Sequence, residues 1–222
     1  MNQSISAPRS QEQILSSNKV LKNTYLLLSA TLFFSAVMAA VSIFLQVSPM
    51  FYLGSVIGAM VLGMFVLPRT ANSASGIGVI FLITGLLGFG LGAILQMYLA
   101  LPKGPQIVGT ALAGTGIIFL GLSGYALTSK RDFSFMGGFL FAGMMVLVLA
   151  MIANIFLAIP ALSLTISAAV VMIMSGLILF DTSRIINGGE TNYIRATVSL
   201  YLNIYNLFIH MLHLLTALGG DD

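Results

Sequence analysis

The chain has 222 residues, of which 58% are hydrophobic and 7% are charged, and its formal net charge is +3. Soluble domains usually carry about 25% charged residues, so this composition excludes a soluble globular protein and indicates a protein of the lipid bilayer. The nine Lys and Arg residues are scattered without forming a basic patch, which argues against nucleic acid as a partner.

The chain begins with a polar stretch, residues 1–23, that is rich in Ser, Gln and Asn. It is long for the first region of a signal peptide, and no clear cleavage site interrupts the apolar run that follows. We therefore predict a flexible cytoplasmic tail at 1–23, a membrane domain at 24–218 and a short periplasmic C-terminus at 219–222.

Seven stretches are long enough for membrane-spanning helices, which need roughly 20 mostly apolar residues. Breaker residues or charges separate them, such as Pro160 and the sequence Asn187-Gly188-Gly189. Because the second stretch is short and the Pro160 boundary is tight, six or eight spans remain alternatives on these signals alone. The predicted spans are about 24–46, 50–67, 76–99, 106–128, 133–158, 161–186 and 191–218.

The distribution of basic residues favours seven spans with the N-terminus inside. In that arrangement eight of the nine Lys and Arg residues fall on the cytoplasmic side, and only Lys103 falls outside. Because cytoplasmic loops carry an excess of Lys and Arg, this asymmetry predicts a multi-pass membrane protein with its C-terminus outside. The inner residues are Arg9, Lys19, Lys22, Arg69, Lys130, Arg131, Arg184 and Arg195.

Glycines recur inside the spans at close spacing, as in Gly54-Ser-Val-Ile-Gly58 and Gly88-Phe-Gly-Leu-Gly92. Small residues let helix backbones approach closely where lipid provides no hydrophobic driving force between helices. These segments therefore predict close helix packing.

One carboxylate, Asp181, lies near the end of the sixth span, after an uncharged apolar run. The helix is expected to end at Asn187-Gly188-Gly189, which places Asp181 about one and a half turns before the carbonyl pole, where negative charge is disfavoured. Arg184 is its local candidate partner, and Arg69 or Arg131 could serve from neighbouring loops. Asp181 is either a boundary residue or a pH-sensitive group.

The seventh span carries a polar stripe on one helical face. Exposing such a stripe to hydrocarbon costs free energy, so it must contact other helices or line a hydrated cavity. Both interpretations remain open from the sequence. The stripe comprises Asn192, Ser199, Asn203, Asn206, His210 and His213.

Catalysis is not expected. The chain has no cysteine, and its carboxylates and two histidines are scattered, so we predict no cofactor and no metal site. Gly121-Leu-Ser-Gly124 resembles the nucleophile motif of rhomboid proteases, but such short Gly/Ser patterns are common in this composition. An aspartyl intramembrane protease needs two membrane carboxylates, and only Asp181 lies well within a span.

The C-terminal third resembles the signature of the Bax inhibitor-1 (TMBIM) family, through Phe180-Asp-Thr182 and the run Ala196-Thr-Val-Ser-Leu-Tyr-Leu-Asn-Ile-Tyr-Asn-Leu-Phe208. The run from Asn187 to Tyr201 is similar to bacterial members that modulate the FtsH protease. The resemblance implies an all-α polytopic fold of seven transmembrane helices, six of them surrounding a central, polar C-terminal helix. It also implies a bacterial inner-membrane protein that binds FtsH, restrains degradation of substrates such as SecY, and offers its N-terminal tail as a handle.

A pH-sensitive calcium or cation leak is the alternative activity that the resemblance implies. In such members two Asp residues on the last two helices share a proton, and an Arg at the inner end of the second span latches them. Asp181 matches the first Asp and Arg69 lies near the position of the latch, but Asn203 occupies the second position. An Asp–Asn pair has one titrating group, and calcium prefers several oxygens, so at most a weak calcium interaction is expected.

Overall fold

A computed structural model describes residues 11–129 and 131–219, and in these residues the chain is helical apart from short connections. Seven helices are long and apolar enough to cross a membrane, which confirms the predicted all-α, polytopic fold class. A π-helical turn, Leu62–Val66, joins α2 and α3 into one span, and a 3-10 turn, Ser134–Met136, precedes α6. The helices are α1 Gln11–Phe44, α2 Phe51–Val61, α3 Leu67–Thr70, α4 Ser75–Leu99, α5 Gly104–Ser129, α6 Gly137–Leu157, α7 Pro160–Ile186 and α8 Tyr193–Gly219.

The helix boundaries follow the breaker residues of the sequence. Pro160 occupies the first turn of α7, where its missing N–H costs no hydrogen bond. At the other end Gly188 adopts a positive φ of 77°, and the Gly189 N–H donates to the Arg184 carbonyl at 2.8 Å. This left-handed glycine cap ends α7 at Ile186, as the sequence predicts.

Helix α1 begins earlier than the apolar run, at Gln11. The stretch predicted as a flexible tail is therefore helical from that residue onward, while residues 1–10 lie outside the described residues. The extension is stabilised because Val20 and Leu21 pack against the core and Thr24 is fully buried. At the other terminus Gly219 is the last residue of α8, and residues 220–222 lie outside the described residues.

Two helices, α4 and α8, provide most of the interior of the bundle. Within the described residues α8 packs against α1, α4, α5 and α7, whereas α2 packs on α4 and α6 packs only on α7 and on its own preceding 3-10 turn. The predicted arrangement of six helices around α8 is therefore not confirmed. The physical reason lies in α4, whose glycines bring α1 and α2 close and draw α4 itself into the interior.

The glycine segment of α4 packs closely against backbone. A Cβ added at Gly88 would lie 2.2 Å from the Ser35 carbonyl oxygen of α1, and one at Gly92 would lie 2.2 Å from the Ala39 carbonyl oxygen. No side chain fits at either position, so the close-packing interpretation holds for this segment. By contrast, no heavy atom lies within 4 Å of a Cβ added at Gly54.

Candidate functional site

Four of the six residues of the polar stripe of α8 bond to α7, in two separate groups. Near one end, Ser199 and Asn203 both contact Asp181 of α7. Further along, His210 and His213 both contact one α7 residue, Ser167. The contacts that the structure gives these residues are helix-to-helix hydrogen bonds, which is one of the two arrangements that the sequence left open.

The Asp181 carboxylate is the centre of the first group. Its Oδ2 atom accepts a hydrogen bond from Ser199 Oγ at 2.5 Å and another from Asn203 Nδ2 at 2.8 Å. Asp181 is 8% exposed and Asn203 is 6% exposed, so these bonds are made away from solvent. Asp181 thus connects the last two helices, and Asn203 is its amide partner.

A small cavity of about 160 Å³ adjoins this carboxylate, at the end of the bundle where α7 ends and α8 begins. Two guanidinium groups and two carboxylates line it, so its formal charges balance. Arg184 lies in this cavity, but its guanidinium pairs with Glu190 at 4.0 Å and donates to the Gly189 carbonyl at 3.1 Å. The lining residues are Asp181, Arg184, Ile185, Glu190, Arg195, Ala196 and Ser199.

Arg69, the second candidate latch, lies elsewhere. Its side chain is exposed, and its guanidinium donates to the Phe65 carbonyl of its own span. The cations that line the Asp181 cavity are Arg184 and Arg195 instead.

Ser167 bridges the two histidines of the stripe. Its Oγ lies 2.8 Å from His213 Nδ1 and 3.1 Å from His210 Nδ1. A hydroxyl carries one proton, so when both rings are neutral it donates to one ring and accepts from the other. One of the two histidines therefore carries its proton on Nδ1.

The described residues hold no group of three or more His, Cys, Asp or Glu side chains that could bind a metal.

Asn206 departs from the rest of the stripe. Its amide donates to the Leu202 carbonyl one turn earlier in α8, at 2.8 Å. The side chain lines a crevice of about 430 Å³ between α2 and α8, beside Tyr52 and Tyr205.

Asn192 has a role that the stripe does not suggest. Its Oδ1 accepts hydrogen bonds from the backbone N–H groups of Ile194 and Arg195, which caps α8. Its Nδ2 donates to the Ala71 carbonyl at 2.9 Å and to Asn72 Oδ1 at 2.8 Å. Asn192 therefore fixes the start of α8 to the turn between α3 and α4.

The residues of the protease-like pattern are not brought together. Ser123 Oγ lies 3.3 Å from Thr182 Oγ1 on α7, whereas His210 and His213 contact Ser167. In the described structure Ser123 is thus part of the α5–α7 packing.

Sequence reasoning missed Ser167, Glu190 and Arg195. Ser167 lies fourteen residues before Asp181, and steps of seven residues keep a helix face nearly constant, so this spacing could have identified the α7 face that meets the stripe. Glu190 lies in the turn between α7 and α8 and Arg195 in the first turn of α8, and only the path of that turn places them beside Asp181.

Comparison with known proteins gives a consistent result along the whole chain. The family model described as "Inhibitor of apoptosis-promoting Bax1" matches residues 17–220. The chain is 47% identical over 221 residues to the Escherichia coli K12 protein named "Modulator of FtsH protease YccA", covering 100% of both chains. It is 48% identical over 213 residues to an uncharacterized membrane protein of Vibrio cholerae, covering 96% of each. It is also 46% identical over 204 residues to a Pseudomonas aeruginosa protein, covering 91% of each.

Proposed function

The chain belongs to the Bax inhibitor-1 family, and from this premise we propose that it modulates the FtsH protease by direct association within the bacterial inner membrane. The observation that carries the proposal is the 47% identity, over the full length of both chains, to the E. coli protein named a modulator of that protease. A regulatory role without catalysis agrees with the site, where Asp181 and Ser167 of α7 are engaged in hydrogen bonds with polar side chains of α8.

The proposed mechanism is competition for the protease. FtsH grips the N-terminal segment, residues 1–10, which precedes α1 and supplies a handle. A pull on this handle must then separate α1 from the bundle. Thr24 is fully buried, and its carbonyl accepts a hydrogen bond from Thr197 of α8, so resistance begins at the first buried turn. A protein that is engaged but slowly extracted occupies FtsH and spares substrates such as SecY.

The proposed orientation places the N-terminus in the cytoplasm and the C-terminus in the periplasm. The positive-inside rule supports it, since Arg69, Arg131, Arg184 and Arg195 lie at or next to the turns on the side where α1 begins. In this orientation the Asp181 cavity lies near the cytoplasmic face.

Deleting residues 2–10 is expected to shorten the half-life of SecY in cells, because FtsH loses its grip on the competitor and turns to other substrates. SecY half-life is measured by pulse-chase, and association is measured by co-purification of the full chain with FtsH from native membranes. The matched control replaces residues 2–10 with a Gly/Ser segment of the same length, which keeps a segment for FtsH to grip and is expected to retain protection.

Two results separate the parts of this proposal. Unchanged SecY protection after the deletion would exclude the tail as the handle while leaving the association intact. Failure of the unmodified chain to co-purify with FtsH would exclude the modulator function itself.

A pH-sensitive cation leak is the second candidate, favoured by the charged cavity beside Asp181. Asn203 lies 2.8 Å from the carboxylate, so Asn203→Asp would place two carboxyl groups where they must share a proton. We expect this variant to increase acid-dependent calcium flux into liposomes relative to the unmodified protein. The control is Asn206→Asp, which adds a carboxylate on the same helix but outside this contact. Equal flux from all three proteins would count against a pathway through the Asp181 cavity.

A further inference from the structure

Ser167, His210 and His213 join α7 to α8 at the end of the bundle where α7 begins and α8 ends, which we call the outer end. Pro160 begins α7 and Gly219 ends α8, so at 1.5 Å per residue the cluster lies about 10 Å inside both helix ends. Each helix is about 40 Å long against a hydrocarbon core of about 30 Å, which places the cluster close to the headgroups. Ser167 is 2% exposed, whereas both rings are partly exposed, so protons can reach the rings.

A single added proton fits this cluster without breaking a hydrogen bond. With both rings neutral, one ring donates from Nδ1 to Ser167 Oγ, and Ser167 donates to Nδ1 of the other ring. The donating ring can take up a proton on Nε2 and still donate from Nδ1. Both bonds to Ser167 are kept, and the bond from the charged ring becomes stronger.

A second proton has no comparable place in the cluster. It must enter on Nδ1 of the accepting ring, so both Nδ1–H groups then point at the one hydroxyl oxygen and the Ser167 proton must turn away. Because the Nδ1 atoms lie 2.8 Å and 3.1 Å from the same oxygen, they are no more than about 6 Å apart. Two imidazolium charges at that separation repel each other, and the surrounding lipid screens them poorly.

The helices that pack against α8 bring no charged residue to the outer end. Within the described structure these helices are α1, α4, α5 and α7, and neither α4 nor α5 contains Asp, Glu, Lys or Arg; the same is true of α6, which packs on α7. Along α7, the charged residue nearest to Ser167 is Asp181, fourteen residues away, or about 21 Å. The charged residues of α1, α7 and α8 lie toward the inner ends of their helices and are Glu12, Lys19, Lys22, Asp181, Arg184 and Arg195.

Other titratable groups of the outer end keep their charge in the range where histidine changes its own. Lys103 lies in the connection between α4 and α5, and Asp221 and Asp222 follow α8, outside the described residues. Tyr98 of α4 packs on the apolar cluster that contains Leu212, on a different face of α8 from the histidines. Amines, carboxyl groups and phenols do not change charge between about pH 8 and 5, so the histidines respond in this range.

His213 is the ring that accommodates the charge better. It lies three residues nearer the outer surface than His210, where water lowers the cost of a charge. It is also nearer the carbonyl end of α8, which favours a cation. His213 is therefore assigned as the ring that donates to Ser167, and His210 as the ring that accepts.

We propose that Ser167, His210 and His213 form a binding site for one proton, with the charge on His213 and with His210 kept neutral by the Ser167 hydroxyl. This site is separate from the FtsH association and does not depend on it. In the orientation proposed above the site faces the periplasm, so its occupancy follows the acidity outside the inner membrane.

The test is NMR of the full chain in lipid nanodiscs, with ¹⁵N on histidine and an affinity tag that lacks histidine. The chain has two histidines, and the variants His210→Asn and His213→Asn assign their signals. The ¹⁵N shifts distinguish Nδ1–H, Nε2–H and imidazolium. At about pH 8 we expect Nδ1–H on His213 and Nε2–H on His210, and on acidification to about pH 5 only His213 should become imidazolium.

Ser167→Ala removes the bridging hydroxyl with little change in volume. Each ring then loses the bond that fixes its tautomer, and the affinity of His210 for the second proton should rise about fivefold, the worth of one hydrogen bond. Ser175→Ala is the matched control, since the Ser175 hydroxyl donates to the Val171 carbonyl of its own helix, and its histidine spectra should be unchanged.

Four results would overturn the proposal. Protonation of both rings over the same pH interval would exclude a site for one proton, and two rings in the Nε2–H form at about pH 8 would exclude the bridge. Earlier protonation of His210 would overturn the assignment of the charge to His213. Two rings that both stay neutral at about pH 5 would show that the cluster only packs α7 against α8.

Discussion

Replacing Asp181 with Leu is expected to lower the free energy of unfolding by about 2–3 kcal/mol. The substitution removes the common acceptor of Ser199 and Asn203, and it leaves their polar groups facing an apolar side chain between α7 and α8. Replacing every member of a buried hydrogen-bonded set with apolar residues can leave the stability unchanged. Removing one member alone destabilises the protein, because the remaining polar groups lose their partner. The measurement is reversible unfolding in mixed detergent micelles, followed by circular dichroism.

The control for Asp181→Leu is Ser175→Ala in the same helix, because the Ser175 hydroxyl donates to the Val171 carbonyl of its own helix. Its effect should stay within about 0.5 kcal/mol. Asp181→Asn keeps an acceptor oxygen, so we expect a smaller loss, of about 1 kcal/mol, with FtsH co-purification retained. Equal stability of Asp181→Leu and the unmodified protein would mean that the Asp181 bonds contribute nothing to the α7–α8 contact.

The spans were predictable because a bilayer demands length and apolarity that few other structures require. All seven predicted spans are present, and the glycine signal at Asn187-Gly188-Gly189 correctly placed the end of α7. The resemblance to the Bax inhibitor-1 family is confirmed as well. The start of α1 was missed because a helix continues past the membrane boundary wherever residues such as Leu21 still find packing partners.

The helix neighbours were not predictable from hydropathy. Apolar side chains suit lipid and a neighbouring helix equally well, so the apolar runs of α6 and α4 look alike in sequence. In the structure Phe139 and Phe141 of α6 are largely exposed, whereas Ile80 and Ile83 of α4 are buried. In sequence, only its closely spaced glycines distinguish α4 from α6. They indicate close packing but do not show which helix is the neighbour.

The polar stripe shows which features of the site can be predicted from helical periodicity. The spacing places Ser199 and Asn203 on one helix face, and both bond to Asp181, but the spacing could not show that α7 supplies this partner. Ser167 lies on the same α7 face as Asp181, fourteen residues earlier, but only the structure shows that it contacts both histidines. Asn206 does not bond to α7, because its amide donates to the Leu202 carbonyl of its own helix.

The close contact between α1 and α4 at Gly88 yields the second large effect. Gly88→Ala should lower the free energy of unfolding by about 2–3 kcal/mol, because the new Cβ would meet the Ser35 carbonyl oxygen at 2.2 Å. Backbone cannot rotate away as a flexible side chain would, so α1 and α4 must separate. That separation also disturbs the 2.6 Å hydrogen bond between Ser35 and Tyr201. The same unfolding titration measures the effect.

Gly78→Ala provides the matched control, since it lies on the same helix with no heavy atom within 4 Å of the added Cβ. Ala favours helix more than Gly does, so this variant should be neutral or up to about 1 kcal/mol more stable. If slow extraction of α1 underlies the proposed protection of SecY, Gly88→Ala should also be degraded faster by FtsH and protect less, whereas Gly78→Ala should not. A destabilised Gly88→Ala that protected SecY fully would separate inhibition from resistance to extraction, and inhibition would then have to arise from binding alone.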